Sequence, residues 1–176
     1  MKLVVFSDNH RNKDVVEWIV TTNQDADRII SLGDSEMKEH ELSSMGIFGV
    51  KGNYPFEPDF PLDLIMTFEN IRFLITHGHR YFVKTGLYNI KTAMIANDCD
   101  VALFGHTHQA LILLEDDLLF LNPGSTTSPK LLINKSYMVI TIEDRKISVE
   151  LREVYTNHLI KKHLSTFKPR RSVYGF

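Results

Sequence analysis

The sequence predicts an α/β fold in which two mixed β-sheets pack face to face with helices on their outer sides. Short apolar runs alternate with helical patterns as far as residue 50, and paired strand patterns dominate from residue 64 onwards. A β-α-β-α-β half requires parallel strands, hairpins add antiparallel ones, and two sheets accommodate their number. The length of 176 residues is that of one domain.

The first half of the chain alternates between strands and helices. Residues 2–7 form a continuous apolar run with β-branched side chains, which is typical of a strand buried on both faces. A helix follows, because apolar residues from 15 to 20 recur at the spacing of one buried helical face. The next predicted elements are a strand at 29–32, a short helix within 36–44 and a strand at 47–50.

Hairpins organise the second half. Predicted strand pairs are 64–68 with 71–75, 111–114 with 118–121, and 137–142 with 147–154. A helical segment at 86–97 and a buried strand at 100–104 lie between the first two pairs. We expect residues 1–155 to form a single domain. Residues 156–176 form a basic C-terminal extension, for which the spacing of Leu159, Ile160 and Leu164 predicts a short helix plus tail.

The charge distribution limits the possible partners. The net charge is −2, but residues 156–176 contain five basic and no acidic residues, so the rest of the chain is acidic. An acidic body disfavours specific nucleic-acid binding, because duplex affinity depends largely on neutralising phosphates. We expect the extension to dock on its own domain or on a second subunit, which is compatible with a homodimer.

The sequence predicts a cytoplasmic protein. The single cysteine, Cys99, cannot form an intrachain disulfide, as is usual in a reducing compartment. The apolar run after Lys2 ends at Ser7, which is too short for a secretory signal. No run approaches the roughly 18 apolar residues that a membrane span requires.

Five predicted strands end in side chains that can bind a metal ion. These endings are Asp8-Asn9-His10, Gly33-Asp34, Gly52-Asn53, His77, and His106-Thr107-His108, where Gly105 is expected to let the backbone turn sharply. A histidine pair after a strand is by itself more often a polar turn than a metal site. Loops beyond the carboxyl ends of strands in α/β sheets form the ligand crevice, so these groups are expected to converge.

The donor set suits two divalent ions. Two carboxylates, one amide oxygen and four imidazoles exceed what one tetrahedral ion uses, but match two ions that share a bridging carboxylate. Nitrogen and oxygen donors without thiolate suit Mn²⁺, Fe, Zn²⁺ or Ni²⁺ rather than Ca²⁺. Of these four metals we expect Mn²⁺.

These motifs, in this order and rough spacing, resemble those of the calcineurin-like metallophosphoesterases. The small size and the turn Asn122-Pro123-Gly124-Ser125 are similar to the YfcE-type branch of phosphodiesterases. The resemblance covers residues 1 to about 154 and implies a four-layer α/β/β/α sandwich with two bound divalent ions. It implies that Asp8, His10 and His108 hold one ion. Asn53, His77 and His106 would then hold the second, and Asp34 would bridge both.

The resemblance implies a hydrolase, a metal-dependent phosphodiesterase that acts on a small-molecule or nucleotide-derived phosphodiester. The hydroxide that attacks phosphorus would be activated by the two ions, with Asp34 setting their spacing. Two alternatives remain: a phosphomonoesterase or phosphoprotein phosphatase, and a non-catalytic protein-binding scaffold of the same fold. Tyr54-Pro55 stands where phosphomonoesterase branches place a histidine, which disfavours monoester hydrolysis.

Two further residues are catalytic candidates. His79 and Arg80 follow His77 closely and are candidates to bind phosphate or to protonate the leaving oxygen. A plain turn residue at His79 and an exposed surface residue at Arg80 are the alternative interpretations.

Overall fold

Eleven strands and three α-helices make up the part of the chain that the computed structural model describes, residues 1–56, 59–129 and 134–168. The strands are β1 (Lys2–Phe6), β2 (Arg28–Ser31), β3 (Ile47–Gly49), β4 (Asp63–Phe68), β5 (Ile71–Thr76), β6 (Val101–Leu103), β7 (Leu111–Glu115), β8 (Leu118–Asn122), β9 (Ser136–Glu143), β10 (Lys146–Glu153) and β11 (Leu159–Thr166). The helices are α1 (Lys13–Thr22), α2 (Glu39–Ser44) and α3 (Tyr88–Ala96), and one turn of 3₁₀ helix spans His79–Tyr81.

The strands form two mixed sheets. The six-stranded sheet has the order β11-β10-β9-β1-β2-β3, and the five-stranded sheet has the order β4-β5-β6-β8-β7. In the first, β1 runs parallel to β2, with Val4 opposite Ile29, and antiparallel to β9 on its other side. In the second, β5, β6 and β8 are parallel, and β4 and β7 are antiparallel edges. The parallel pairs follow the crossovers, and the antiparallel pairs follow the hairpins.

Four layers result from the burial of both faces of each sheet. Leu3 and Val5 of β1 point into the core between the sheets, where they meet residues of the second sheet such as Phe73. The alternate residue Val4 faces outward and packs against α1, because successive side chains of a strand point to opposite faces. On the other side, α3 covers the second sheet through residues such as Met94. The predicted α/β/β/α sandwich is therefore confirmed.

The terminal helix predicted from Leu159, Ile160 and Leu164 is wrong. This segment is β11, which pairs antiparallel with β10 along its length. All three apolar side chains are exposed, so they do not form a buried helical face. The backbone hydrogen bonds offered by the neighbouring strand β10 outweigh the helical spacing, as tertiary context commonly does. Residues 169–176 lie outside the described residues, and the domain boundary at residue 155 stays a prediction.

Within the described ranges, none of the helices has the length and apolar character needed to cross a lipid bilayer.

Candidate metal centre

The loops that follow β1, β2, β5 and β6 meet at one end of the sandwich. The amide of Asp8 donates to the carbonyl of Gly33 at 3.1 Å, which joins the loops after β1 and β2. The amide of Gly105 donates to the carbonyl of His77 at 3.1 Å, which joins the loops after β5 and β6. Side chains from both sheets therefore face each other at the carboxyl ends of the strands, as expected for an α/β ligand crevice.

Asp8, His10 and His108 form the first group, with ligand atoms all within 4.8 Å of one another. The two Nε2 atoms of the histidines are 3.4 Å apart, and Nε2 of His108 is 3.0 Å from Oδ1 of Asp8. Nδ1 of His10 lies 2.8 Å from Oε1 of Glu36, and Nδ1 of His108 lies 2.8 Å from the carbonyl of Ser128. When each Nδ1–H donates to these oxygens, both Nε2 lone pairs face the same point, as in metal-bound histidines.

Asp34, His77 and His106 form the second group, which satisfies the same 4.8 Å limit. Nε2 of His77 is 3.5 Å from Oδ2 of Asp34, and Nδ1 of His77 lies 2.7 Å from the carbonyl of Leu32. The other carboxylate oxygen of Asp34, Oδ1, accepts the amide hydrogens of Asn53 at 2.8 Å and Tyr54 at 3.1 Å. These bonds fix the carboxylate and leave Oδ2 directed at His77.

Each group contains a buried polar atom without a hydrogen bond. Among the described residues, Oδ1 of Asp8 and Nε2 of His77 are buried and form no hydrogen bond. Oδ1 of Asp8 faces the imidazole of His108, and Nε2 of His77 faces the carboxylate of Asp34. Leaving such a group unsatisfied costs about 1–3 kcal/mol. A divalent ion would satisfy both atoms, and the carboxylate and imidazole donors fit such an ion.

The electrostatics keep the candidate ligands in metal-binding forms. Burial alone would raise the pKa of Asp34, but the adjacent imidazole of His77 and hydrogen bonds from two backbone amides hold that pKa well below its usual range. Burial, together with the charge of His77, lowers the pKa of His106 to about 4. At neutral pH, Asp34 is therefore a carboxylate and His106 a neutral imidazole, as metal ligation requires.

Two histidines instead hold their protons more tightly than free imidazole. The adjacent carboxylate of Asp8 raises the pKa of His108. Burial opposes protonation of His77, but the adjacent carboxylates Asp34 and Asp8 outweigh it and raise the pKa of His77.

Five candidate ligands adopt a left-handed backbone. Positive φ angles occur at the following positions: Asp8 (56°), His10 (43°), Asp34 (47°), His106 (65°) and His108 (57°). Such conformations cost about 1–3 kcal/mol each in non-glycine residues and cluster at functional sites. Residue type and spacing do not reveal this feature, so the sequence analysis missed it.

Two glycines are required by close packing at the centre. A Cβ at Gly52 would lie 2.1 Å from Oδ1 of Asp34, and a Cβ at Gly105 would lie 2.0 Å from Oγ of Ser7. Gly105 is not among the residues with positive φ, so the sharp turn expected there is not the reason for its glycine. The reason is the space taken by Ser7, whose hydroxyl donates to Oδ2 of Asp8 at 2.5 Å.

The remaining predicted residues lie at different distances from the two groups. Asn53 is exposed, and it contacts Asp34 through its backbone amide. The ring centroid of His79 is 5.5 Å from that of His77 and 6.0 Å from that of His106. Within the described part of the chain, Nδ1 of His79 is buried without a hydrogen bond, and burial lowers its pKa. Arg80 is half exposed and forms an ion pair with Asp63 at 3.1 Å, so the structure does not bring it into either group.

Sequence reasoning also missed Glu36 and treated Asn122 and Ser125 as turn formers. Glu36 orients His10, and a carboxylate two residues after Asp34 was the available signal. Nδ2 of Asn122 donates to the carbonyl of Gly105 at 2.8 Å, and Oγ of Ser125 donates to the carbonyl of Asp8 at 2.9 Å. These two side chains therefore fix the backbone of the ligand loops.

The chain is similar in sequence to proteins named as a probable metallophosphoesterase and as a phosphodiesterase. The probable metallophosphoesterase YsnB of Bacillus subtilis is 29% identical over 160 residues, which cover 90% of this chain and 95% of YsnB. The phosphodiesterase YfcE of Escherichia coli is 27% identical over 121 residues, 60% of this chain and 62% of YfcE.

Solved structures share the fold. A predicted phosphoesterase from Streptococcus pneumoniae superposes with a TM-score of 0.81 at 28% identity, covering 93% of this chain and 97% of that protein. A single mutant of Vps29 from Entamoeba histolytica superposes with a TM-score of 0.75 at 19% identity, covering 96% of this chain and all of that protein.

Residues 1–145 match the family described as the calcineurin-like phosphoesterase superfamily domain. This range contains all the candidate ligands and nine of the eleven strands, β1 to β9. The chain belongs to the calcineurin-like phosphoesterase superfamily.

Proposed function

We propose that this protein is a phosphodiesterase that uses two divalent metal ions, with Mn²⁺ favoured, to hydrolyse a small-molecule or nucleotide-derived phosphodiester. The first group, Asp8, His10 and His108, would hold one ion. The second group, with the side chain of Asn53, would hold the other, and Asp34 would bridge the two. The observation that carries this proposal is the pair of separate three-residue groups at one end of the sandwich.

The chemistry needs both a nucleophile and charge neutralisation. Two divalent ions, when bound, lower the pKa of a water and neutralise charge that develops on the phosphoryl oxygens. The residues of the chain supply the alignment. Asp34 is fixed by the amides of Asn53 and Tyr54 and stays ionised, while Glu36 and the carbonyl of Ser128 orient His10 and His108.

We assign His79 to phosphate binding rather than to acid catalysis. Burial and the neighbouring His77 lower its pKa, so the imidazolium that could protonate a leaving oxygen is scarce at neutral pH. A neutral imidazole still has one N–H that can donate to a phosphoryl oxygen. Arg80 is engaged with Asp63 and would need to leave that ion pair to reach the substrate.

The test is hydrolysis of bis(p-nitrophenyl) phosphate by chelator-stripped protein after Mn²⁺, Ni²⁺, Zn²⁺ or Mg²⁺ is added back. We expect metal to restore turnover, and His108→Ala to lower kcat by at least about 100-fold, because a misplaced reacting group alone has this effect. The exposed His158 supplies the matched control, and His158→Ala should leave kcat unchanged.

The alternatives predict different results. A phosphomonoesterase would hydrolyse p-nitrophenyl phosphate faster than the diester. A protein-binding scaffold would give no turnover with any metal, even with two ions bound per chain. Either result would overturn the phosphodiesterase proposal. The homodimer and the cytoplasmic location stay predictions from the sequence.

A further inference from the structure

A cavity of about 310 Å³ opens beside the loop that carries His106 and His108. Thr107, which stands between these two histidines, lines the cavity, and so does Phe104 at the end of the strand that leads into the loop. The cavity therefore adjoins the loop that carries two of the candidate metal ligands. Its volume is at the lower end of the range for small-molecule sites, large enough for one aromatic ring system but not for a long ligand.

The walls of this cavity combine apolar side chains with the polar side chains of Thr107 and Gln109. Val83 and Phe104 are buried side chains, and Leu87 and Leu111 are half-buried, so all four present hydrocarbon to the space. An apolar group that leaves water for such a surface gains free energy in proportion to the apolar area buried. A group bound here would thus gain affinity from its apolar surface, and Thr107 and Gln109, which also line the cavity, offer polar contacts.

A single cation, Lys84, stands at the edge of the cavity. Its side chain is exposed, and it lines the same cavity as Thr107, which places it near the ligand loop. Two other basic residues near the centre are already paired, since Arg11 contacts Glu36 and Arg80 contacts Asp63. Within the described residues, Lys84 forms no ion pair, so its charge is available to an anionic ligand.

We propose that the substrate is a phosphodiester with an aromatic ester arm, which binds in the cavity lined by Val83, Leu87, Phe104 and Leu111 while Lys84 faces the phosphate charge. This inference rests on the proposed function and names the substrate class. The metal centre and Lys84 recognise the anion, which all phosphodiesters share. The cavity distinguishes a ring-bearing diester from a small alkyl diester, so it determines specificity.

Affinity measurements test this inference without relying on turnover. Calorimetry on the full-length, Mn²⁺-loaded protein would give the Kd of diphenyl phosphate and of dimethyl phosphate, which carry the same charge but differ in their arms. We expect wild type to bind diphenyl phosphate about tenfold more tightly, since burying part of a ring yields at least the roughly 1.4 kcal/mol that tenfold requires.

Three variants separate the two parts of the proposal. Lys84→Gln should weaken both diesters by about threefold to fivefold, the range of an exposed ion pair. Lys161→Gln, an exposed lysine on the opposite sheet, is the matched control and should change neither Kd. Leu87→Phe should fill the cavity and remove the preference for diphenyl phosphate while leaving the Kd of dimethyl phosphate unchanged. Leu111→Phe replaces it if Leu87→Phe does not fold.

The outcomes distinguish this inference from the proposed function. Equal affinities for the two diesters, or equal losses in Lys84→Gln and Lys161→Gln, overturn the inference even if bis(p-nitrophenyl) phosphate is hydrolysed. The expected pattern of affinities without any hydrolysis supports the cavity and Lys84 as a binding site for aromatic phosphodiesters, but it overturns the phosphodiesterase proposal and with it the assignment of such a diester as a substrate. Failure to bind either diester overturns the inference.

Discussion

Substitution of Gly52 by alanine tests whether the position of Asp34 controls the metal centre. The added Cβ would lie 2.1 Å from Oδ1 and 2.4 Å from the backbone nitrogen of Asp34, although real Cβ contacts essentially never fall under 3.0 Å. Asp34 must therefore move by about 1 Å, because the contacts are with its backbone and with a carboxylate already held by two amides. The overpacking itself should lower the free energy of unfolding by about 1–3 kcal/mol.

The functional effect should exceed the effect on stability. A misplacement of about 1 Å in an active site can reduce the rate about 100-fold, so we expect Gly52→Ala to lower kcat on bis(p-nitrophenyl) phosphate by that factor. The assay combines kcat of the Mn²⁺-loaded protein, the number of ions bound per chain and the urea denaturation midpoint. The variant must be shown to remain folded under the assay conditions.

Gly46 provides the matched control. Nothing lies within 4 Å of a Cβ added there, but its φ of 73° would strain an alanine. Gly46→Ala should therefore lose about 1–2 kcal/mol of stability and retain full kcat. If Gly52→Ala retains both the wild-type kcat and the wild-type metal content, the argument that Asp34 is held in place by this close packing is refuted.

Three further predictions concern the ligands and the core. Affinity for Mn²⁺ should fall as the pH is lowered through the raised pKa values of His77 and His108, because protons compete with the metal for these imidazoles. If the Kd for Mn²⁺ does not change between pH 8 and about pH 6, this competition is contradicted. Glu36→Ala should weaken Mn²⁺ binding about 10- to 100-fold by releasing His10, as measured by calorimetry against the exposed Glu39→Ala. Phe73→Ala, between the sheets, should lower the free energy of unfolding by about 3–5 kcal/mol. Phe56→Ala is the control, because Phe56 is 81% exposed. If urea denaturation shows equal losses of unfolding free energy in the two variants, the assignment of Phe73 to the core is refuted.

The layers of the sandwich could be predicted from the sequence because the apolar pattern of the strands agrees with their burial in the fold. Residues 2–7 read as a strand buried on both faces, and in the structure Leu3 points into the sandwich while Val4 points towards α1. The metal-competent residues were recognisable because each follows a buried strand, so their convergence depends only on the direction of the strands. The sequence failed at β11, whose identity depends on the hydrogen bonds offered by β10.

Other features could not be predicted from the sequence because they depend on contacts between distant segments of the chain. Nothing in its sequence neighbourhood distinguishes Lys84 from other exposed lysines, since its importance derives from a cavity assembled by distant segments. The glycine at position 105 was recognised, but its purpose depends on Ser7, which is nearly 100 residues away along the chain. Long-range packing of this kind leaves no periodic signal.

Each candidate group combines residues from both sheets. Asp8 and His10 follow β1 of the six-stranded sheet, whereas His108 follows β6 of the five-stranded sheet, and the second group likewise joins Asp34 to His77 and His106. A bound ion would thus be a reversible cross-link between the two halves of the sandwich. At a concentration 100 times its Kd, a ligand of the native state alone adds about 2.7 kcal/mol to stability. Chelation would therefore weaken the attachment between the sheets at this end, making metal supply a determinant of how long the folded chain survives as well as of its chemistry.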